Sequence, residues 1–185
     1  GLVAYLFSST TQEMEGKLIA YNKKLQKQAS LDPLTGLFNR RRTMEYLENL
    51  LSNVETQVSI CLCDIDHFKR VNDTYGHNVG DVVLRTLSDT FRKRLPPDTF
   101  ISRWGGEEFL LIFPRLNGDE TSTVLNILRQ KIREITFDGG EEQFTVSLTY
   151  GLVEYDFHSD ITTLLKEADE KLYAGKEGGR DRIVF

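Results

Sequence analysis

A stretch near the middle of the chain, Arg103-Trp104-Gly105-Gly106-Glu107-Glu108-Phe109, sets two adjacent carboxylates beside two glycines. Phe100-Ile101-Ser102 before it and Leu110-Leu111-Ile112-Phe113 after it read as β runs, the second stopped by Pro114. Strands on either side of Gly-Gly predict a hairpin, with the positive φ of a tight turn assigned to the glycines. Glycine also lets a ligand come close to the backbone. Neighbouring like charges repel, so Glu107 and Glu108 at the tip make most sense with a cation supplied. For the hairpin alone, a solvated acidic turn is the competing reading.

A second acidic element lies upstream, in Cys61-Leu62-Cys63-Asp64-Ile65-Asp66-His67-Phe68-Lys69. The run Val58 to Cys63 is apolar enough to predict a buried strand. Charge on such a strand is rare unless it is paired or metal-bound. Asp64 falls at the C-terminal end of the strand, where α/β sheets place their ligands. Pairing the strand with the hairpin would set Asp64 facing Glu107. Two or three carboxylates, a backbone carbonyl and waters are the oxygen ligands that suit Mg²⁺, an ion that shares its coordination with phosphates.

These stretches, with Asn72-Asp73-Thr74-Tyr75-Gly76-His77 and Gly80-Asp81 between them, resemble the GGDEF family of diguanylate cyclases, here with a Gly-Gly-Glu-Glu-Phe signature. The opening Asp32-Pro33-Leu34-Thr35-Gly36-Leu37-Phe38-Asn39-Arg40 and the close Ala168-Asp169, Leu172-Tyr173-Ala174, Lys176 and Gly179-Arg180 resemble that family's ends. The resemblance implies condensation of two GTP into cyclic di-GMP with release of pyrophosphate, on a homodimer, with Mg²⁺ as cofactor and Mn²⁺ as a substitute. It implies Asp64, Glu107 and the carbonyl of Ile65 as metal ligands. Glu107, Glu108 and Lys69 become the catalytic set, with Glu108 either a further ligand or the group acting on the hydroxyl proton. Asn72 and Asp81 become guanine contacts, since a carboxylate accepts from N1–H and the 2-amino group while an amide both donates and accepts. Lys69, Lys176 and Arg180 become phosphate contacts, and Phe68 a wall of the phosphate pocket. Each has a plainer reading: an Asx turn for Asn72, a helix N-terminal acid for Asp81, core packing for Phe68, solvated bases for the cations. An inhibitory Arg-x-x-Asp product site before the hairpin is not expected, because Pro96 and Thr99 hold its positions and Asp98 is displaced by one.

The positioning elements follow from periodicity. Asn39 can cap a helix with Met44, Leu47 and Leu51 on its apolar face. A second helix is expected from about Val79 to Leu95, ended by Pro96-Pro97, with Leu84, Leu87 and Phe91 buried. Asn117-Gly118-Asp119 reads as a turn, and Val124, Leu125, Leu128 and Ile132 mark a third helix. Asp138-Gly139-Gly140 leads into an alternating strand at Phe144, Val146, Leu148 and Tyr150. Asp160 can cap a last helix through Leu164, Leu165, Ala168 and Leu172, stopped near Gly175, with a final strand at Ile183-Val184-Phe185. The order β-α-β-β-α-β predicts an α/β (α+β) fold, a ferredoxin-like split βαβ sheet with helices on one face. The resemblance likens it to nucleotidyl cyclase and polymerase palm domains.

Ahead of it, Met14, Leu18, Tyr21 and Leu25 recur at coiled-coil spacing, with Gln28 polar at the seam. This predicts a linker helix over 1–30 from a truncated sensory region, and a cyclase domain over 31–185. Leu2 to Phe7 is too short to span a bilayer and reads as the stub of a membrane helix or the end of a sensor. The expectation is a cytoplasmic domain of a larger receptor, whose parent could carry a membrane anchor. A net charge of −5 over 185 residues argues against a nucleic-acid polymer held by bulk electrostatics. Cys61 and Cys63 share one strand face and read as buried thiols of a reducing compartment. A degenerate nucleotide-binding module and a dimerisation scaffold are the competing functions; the intact acidic and basic residues speak against the first, and a scaffold gives the acidic pocket no purpose.

Overall fold

The computed structural model describes residues 30–52 and 56–185, together with the helical positions Met14, Lys17, Ile19 and Leu25. The chain divides into two units, Gly1–Ser30 and Leu31–Phe185. In the first, Met14 and Leu25 of the expected seam are helical and exposed. Leu18, Tyr21 and Gln28 lie outside the described residues.

The second unit holds strands β1 (Phe38–Asn39), β2 (Val58–Ile65), β3 (Phe100–Arg103), β4 (Glu108–Pro114), β5 (Phe137–Asp138), β6 (Gln143–Phe144), β7 (Leu148–Glu154) and β8 (Ile183–Val184). Its helices are α1 (Arg40–Ser52), α2 (Phe68–Tyr75), α3 (His77–Arg94), α4 (Gly118–Arg133) and α5 (Ile161–Glu177). One six-stranded sheet runs in the order β1-β3-β4-β2-β7-β8, and β5 with β6 forms a separate pair. The inner strands β3, β4, β2 and β7 are antiparallel and give the expected split βαβ sheet, while β1 and β8 extend its edges in parallel.

β2 is buried at every position, and its side chains alternate between two cores. Cys61, Cys63 and Ile65 join α3 and α4 residues such as Leu87, Phe91 and Leu125 on one face. Val58, Ile60 and Leu62 join Leu47 of α1 and Leu164, Ala168 and Leu172 of α5 on the other. The helices therefore cover both faces, not one. That is why β2 reads as a continuous apolar run rather than an alternating one. Gly151 of β7 permits the close packing of α5, since a Cβ there would lie 2.1 Å from the carbonyl oxygen of Ala168. Because that neighbour is backbone, a methyl group would force the helix off the sheet.

Three local expectations change. The segment ahead of Val79 is helical too: α2 precedes α3, and Gly76 at φ 85° separates them. Only Phe68 and Val71 of α2 are buried, too few for a periodic signal. Asn117 is a helix cap, not a free turn: its side chain accepts from Glu120 N, and the Glu120 carboxylate accepts from Asn117 N, a reciprocal capping box. The strand foreseen from Phe144 to Tyr150 is broken, because Phe144 pairs with Phe137 and β7 begins only at Leu148. The caps at Asn39 and Asp160 form as expected, with Arg42 N 3.0 Å from Asn39 Oδ1 and Thr163 N 2.7 Å from Asp160 Oδ1. α5 runs on through Gly175 to Glu177.

Candidate active site

β3 and β4 form the predicted hairpin, but neither Gly105 nor Gly106 takes a positive φ. The turn is closed by Trp104 N and Gly105 N donating to Glu108 O at 2.8 and 3.2 Å. Arg103 braces it from the side, with Nε and an outer nitrogen donating to Gly106 O at 3.1 and 2.6 Å. The same guanidinium meets both oxygens of Asp32 at 3.1 and 3.2 Å, while Asp32 also caps the Thr35 turn. The opening segment and the signature hairpin are thus one braced unit. Gly105 serves approach rather than handedness, since a Cβ there would lie 2.5 Å from a Glu108 carboxylate oxygen, whereas a Cβ at Gly106 would meet open space.

The register sets Asp64 directly opposite Glu108, not Glu107. Glu107 comes in by backbone, its carbonyl accepting from Ile65 N at 3.3 Å. Period two puts Asp64 on the same face as Leu62, toward α5. There Lys176 Nζ stands 3.1 Å from Asp64 Oδ1. The basic residue expected at phosphate is therefore engaged with the buried acid in this structure. Arg180 follows on the loop after α5, and its charge also reaches Asp64.

Burial raises the Asp64 carboxyl above the usual carboxylate range; Lys176 opposes the rise and Asp66 adds to it. Burial and then the Asp64 charge raise Glu107 and Glu108, with Lys176 again opposing, and Asp169 adds to the rise of Glu108. Burial is the leading cause in each case, so the folded chain disfavours the charged form of these acids even with Lys176 beside them. The donor set is all oxygen and sits beside basic side chains, which fits a hard divalent cation that also binds phosphate. Among the described residues, no three His, Cys, Asp or Glu side chains stand in the geometry of a complete metal site.

A raised carboxyl means the folded chain holds its proton more tightly than the unfolded chain does. The resulting penalty is full above the raised values and disappears as pH falls below the ordinary value near 4. Two tests follow. Lowering pH from neutrality into the acidic range should relieve this cluster's repulsion. Glu108→Gln, which removes the like charge opposite Asp64, should raise stability without divalent cation by about 0.2–1 kcal/mol. Thermal melts of both proteins in chelator check this; a Gln variant that melts earlier would contradict it.

The second group of predicted residues lies on α2 and α3. Gly80 has no side chain because Asn72 occupies that space: a Cβ at Gly80 would lie 2.0 Å from Asn72 Oδ1 and 3.2 Å from Phe68 Cζ. Asn72 is thereby seated against the residue preceding Asp81. Asp81 lies beyond the first turn of α3, so the helix-terminal reading does not describe it; Arg85 stands 3.9 Å away. Phe68 is a core residue, 5% exposed. Lys69 is exposed in the first turn of α2. Beside Glu108, a groove of about 440 Å³ is lined by Arg40, Met44, Trp104, Lys166 and Asp169. The Arg40 guanidinium lies 4.5 Å over the Trp104 ring, and Trp104 packs against the core on the α1 and α5 side of the sheet.

Sequence reasoning assigned no role to Asp66 or Asp181, which the structure joins, with Asp181 N donating to Asp66 Oδ2 at 3.0 Å. An acid one place beyond the strand end carries no signal of its own; its burial shows only in the fold.

The model of the diguanylate cyclase, GGDEF domain, matches residues 29–182. Diguanylate cyclase DgcP of Pseudomonas aeruginosa is 33% identical over 186 residues, covering 98% of this chain and 28% of its own length. Among solved structures, the GGDEF domain of DgcB from Caulobacter crescentus in complex with c-di-GMP superposes with a TM-score of 0.80 at 33% identity, covering 84% of this chain and 95% of that one. The coiled coil and GGDEF domain of the same protein, also with c-di-GMP, gives 0.80 at 28% identity, covering 100% and 99%. This chain is thus well under half the length of the full-length relative. The chain belongs to the GGDEF domain family of diguanylate cyclases.

Proposed function

We propose that this chain condenses two GTP into cyclic di-GMP and two pyrophosphates, in a Mg²⁺-dependent reaction between two copies, as the output domain of a larger receptor. The observation that carries the reading is the convergence of Asp64, Glu107 and Glu108, all held above their usual range, with Lys176 among them. Asp64, Glu107 and the Ile65 carbonyl would hold the cation, which supplies a lowered pKa for the attacking 3′-hydroxyl and neutralises charge on the α-phosphate. The 3′-oxygen forms its bond to the α-phosphorus as the bond to pyrophosphate breaks. Glu108 either joins these ligands or takes up the hydroxyl proton. Lys176, released from Asp64, and Lys69 and Arg180 neutralise the phosphates. Beyond charge and position, such chemistry asks little of the protein.

Asn72 and Asp81 read guanine. Adenine offers no N1–H donor and would leave the Asp81 carboxylate without its partner, a loss of about 1–3 kcal/mol. Asp81→Ser should narrow the preference for GTP over ATP, measured as the ratio of kcat/KM values. Equal use of both nucleotides by the unmutated chain would refute the assignment.

The product brake is absent in this reading. Pro96 offers no donor, and Asp98 is paired with Arg115 on the surface. Cyclic di-GMP should inhibit only in competition with GTP. Potent non-competitive inhibition that survives changes at Asn72 and Asp81 would contradict this.

Residues 1–30 serve as the linker, supported by the likeness to a structure that contains a coiled coil as well as the domain. Among the described residues no helix is long and apolar enough to cross a membrane. We place the domain in the cytoplasm, where GTP is available. Incubation with GTP and Mg²⁺, followed by chromatography, tests the whole reading: cyclic di-GMP supports it, and bound but unconverted GTP would leave a nucleotide-sensing module instead.

A further inference from the structure

Asp66 follows the Asp64–Ile65 pair but takes no part in the chemistry proposed above. It is 6% exposed. Its Oδ1 accepts from Thr149 Oγ1 at 2.6 Å. Its Oδ2 accepts from Ser147 Oγ at 2.6 Å and from Asp181 N at 3.0 Å. Its own N–H donates to Ser147 O at 2.9 Å. One buried carboxylate therefore joins the end of β2, the start of β7 and the loop after α5.

That loop carries Arg180, and its backbone is strained. Gly179, Arg180 and Asp181 have successive φ values of 111°, 63° and 45°. The last two have side chains, and such residues stay in the left-handed region only where surrounding contacts hold them there. Those contacts are identifiable. Arg180 N donates to Gly175 O at 3.0 Å, and Asp181 N donates to Asp66. The Asp181 carboxylate is gripped from α4 by Arg129 Nε at 2.9 Å and an Arg133 nitrogen at 3.2 Å. Arg180 itself makes no side-chain bond to this node. What the node fixes is the direction in which its Cα–Cβ bond leaves the chain.

We infer that Asp66 is a positioning residue, anchoring the left-handed turn at Gly179–Asp181 so that Arg180 projects toward the nucleotide phosphates rather than along a relaxed loop. The inference rests on the reading of Arg180 as a phosphate contact. A carboxylate suits the task because all its neighbours are donors, and the Asp181 amide can do nothing but donate. Asp66→Asn keeps the shape but turns one oxygen into a donor. Thr149→Val keeps the buried volume and removes one of the hydroxyls that fix the carboxylate.

The test is a double-mutant cycle on binding, made with the full chain and a GTP analogue that cannot be turned over, alongside guanosine. Asp66→Asn and Thr149→Val should each weaken analogue binding by about 5–20-fold and leave guanosine binding within about twofold. In an Arg180→Ala background the same changes should weaken analogue binding by less than about twofold. Equal losses in both backgrounds, or parallel losses for guanosine, would make Asp66 a general stitch of the fold and overturn the inference. If Asp66→Asn does not fold, Thr149→Val decides alone. An Arg180→Ala chain that binds the analogue as tightly as wild type removes the phosphate role of Arg180 and this inference with it, while leaving the acidic cluster and the cyclase reading standing. A wild-type chain that binds no analogue refutes that reading itself.

Discussion

Glu107→Gln is expected to lower the rate of cyclic di-GMP formation by about 10²–10³-fold, the scale of losing one preorganised charge from a reacting centre. GTP should still bind, because Asn72, Asp81 and the basic side chains are untouched. The folded chain should be no less stable, since Glu107 is held above its usual range by burial and by Asp64, and the amide removes that conflict. The pairing of lost turnover with unchanged or raised melting temperature is what separates a chemical role from a structural one. A variant that loses activity only in proportion to lost folded protein would reassign Glu107 to the hairpin's architecture.

The second large effect concerns concentration. In the proposed reaction one domain presents one nucleotide, whereas the product needs two α-phosphates and two 3′-hydroxyls in mutual reach. A tether over 1–30 would hold two domains at an effective concentration in the millimolar range. Removing residues 1–29 should therefore leave a chain whose rate per molecule falls about tenfold for each tenfold dilution below its dimer dissociation constant. Initial rates measured beside sedimentation of the same samples check this. A rate per molecule that stays constant down to a demonstrated monomer would show that one copy suffices.

The parts of the fold legible in the sequence were those with a repeating apolar signal or strong punctuation. β2 announced itself by an unbroken apolar run, α3 and α5 by their buried faces, and α1 and α5 by the caps at Asn39 and Asp160. α2 escaped because only Phe68 and Val71 point inward. The break before Leu148 escaped because alternation at Phe144 and Val146 looks the same whether or not the strands pair in one sheet. Coverage of both sheet faces was implicit in the burial of β2, but the sequence does not say which helix goes to which side.

Of the candidate site, residue types were legible and geometry was not. Glu107 and Glu108 are adjacent in sequence, so parity alone could not show which would face Asp64. That choice depends on the register, which places Glu108 there. Of the two roles read for the hairpin glycines, positive φ is not taken up, and close approach holds at Gly105. Asp66 had no signal, because a buried carboxylate saturated by hydroxyls and an amide looks in sequence like any exposed acid.

The most direct test of the central claim is mass-spectrometric identification and counting of products from the chain with GTP and Mg²⁺, beside Glu107→Gln. The account predicts one cyclic di-GMP for every two pyrophosphates from wild type, and neither in quantity from the variant. GDP and phosphate as the main products, or cyclic di-GMP formed equally well by the variant, would contradict it.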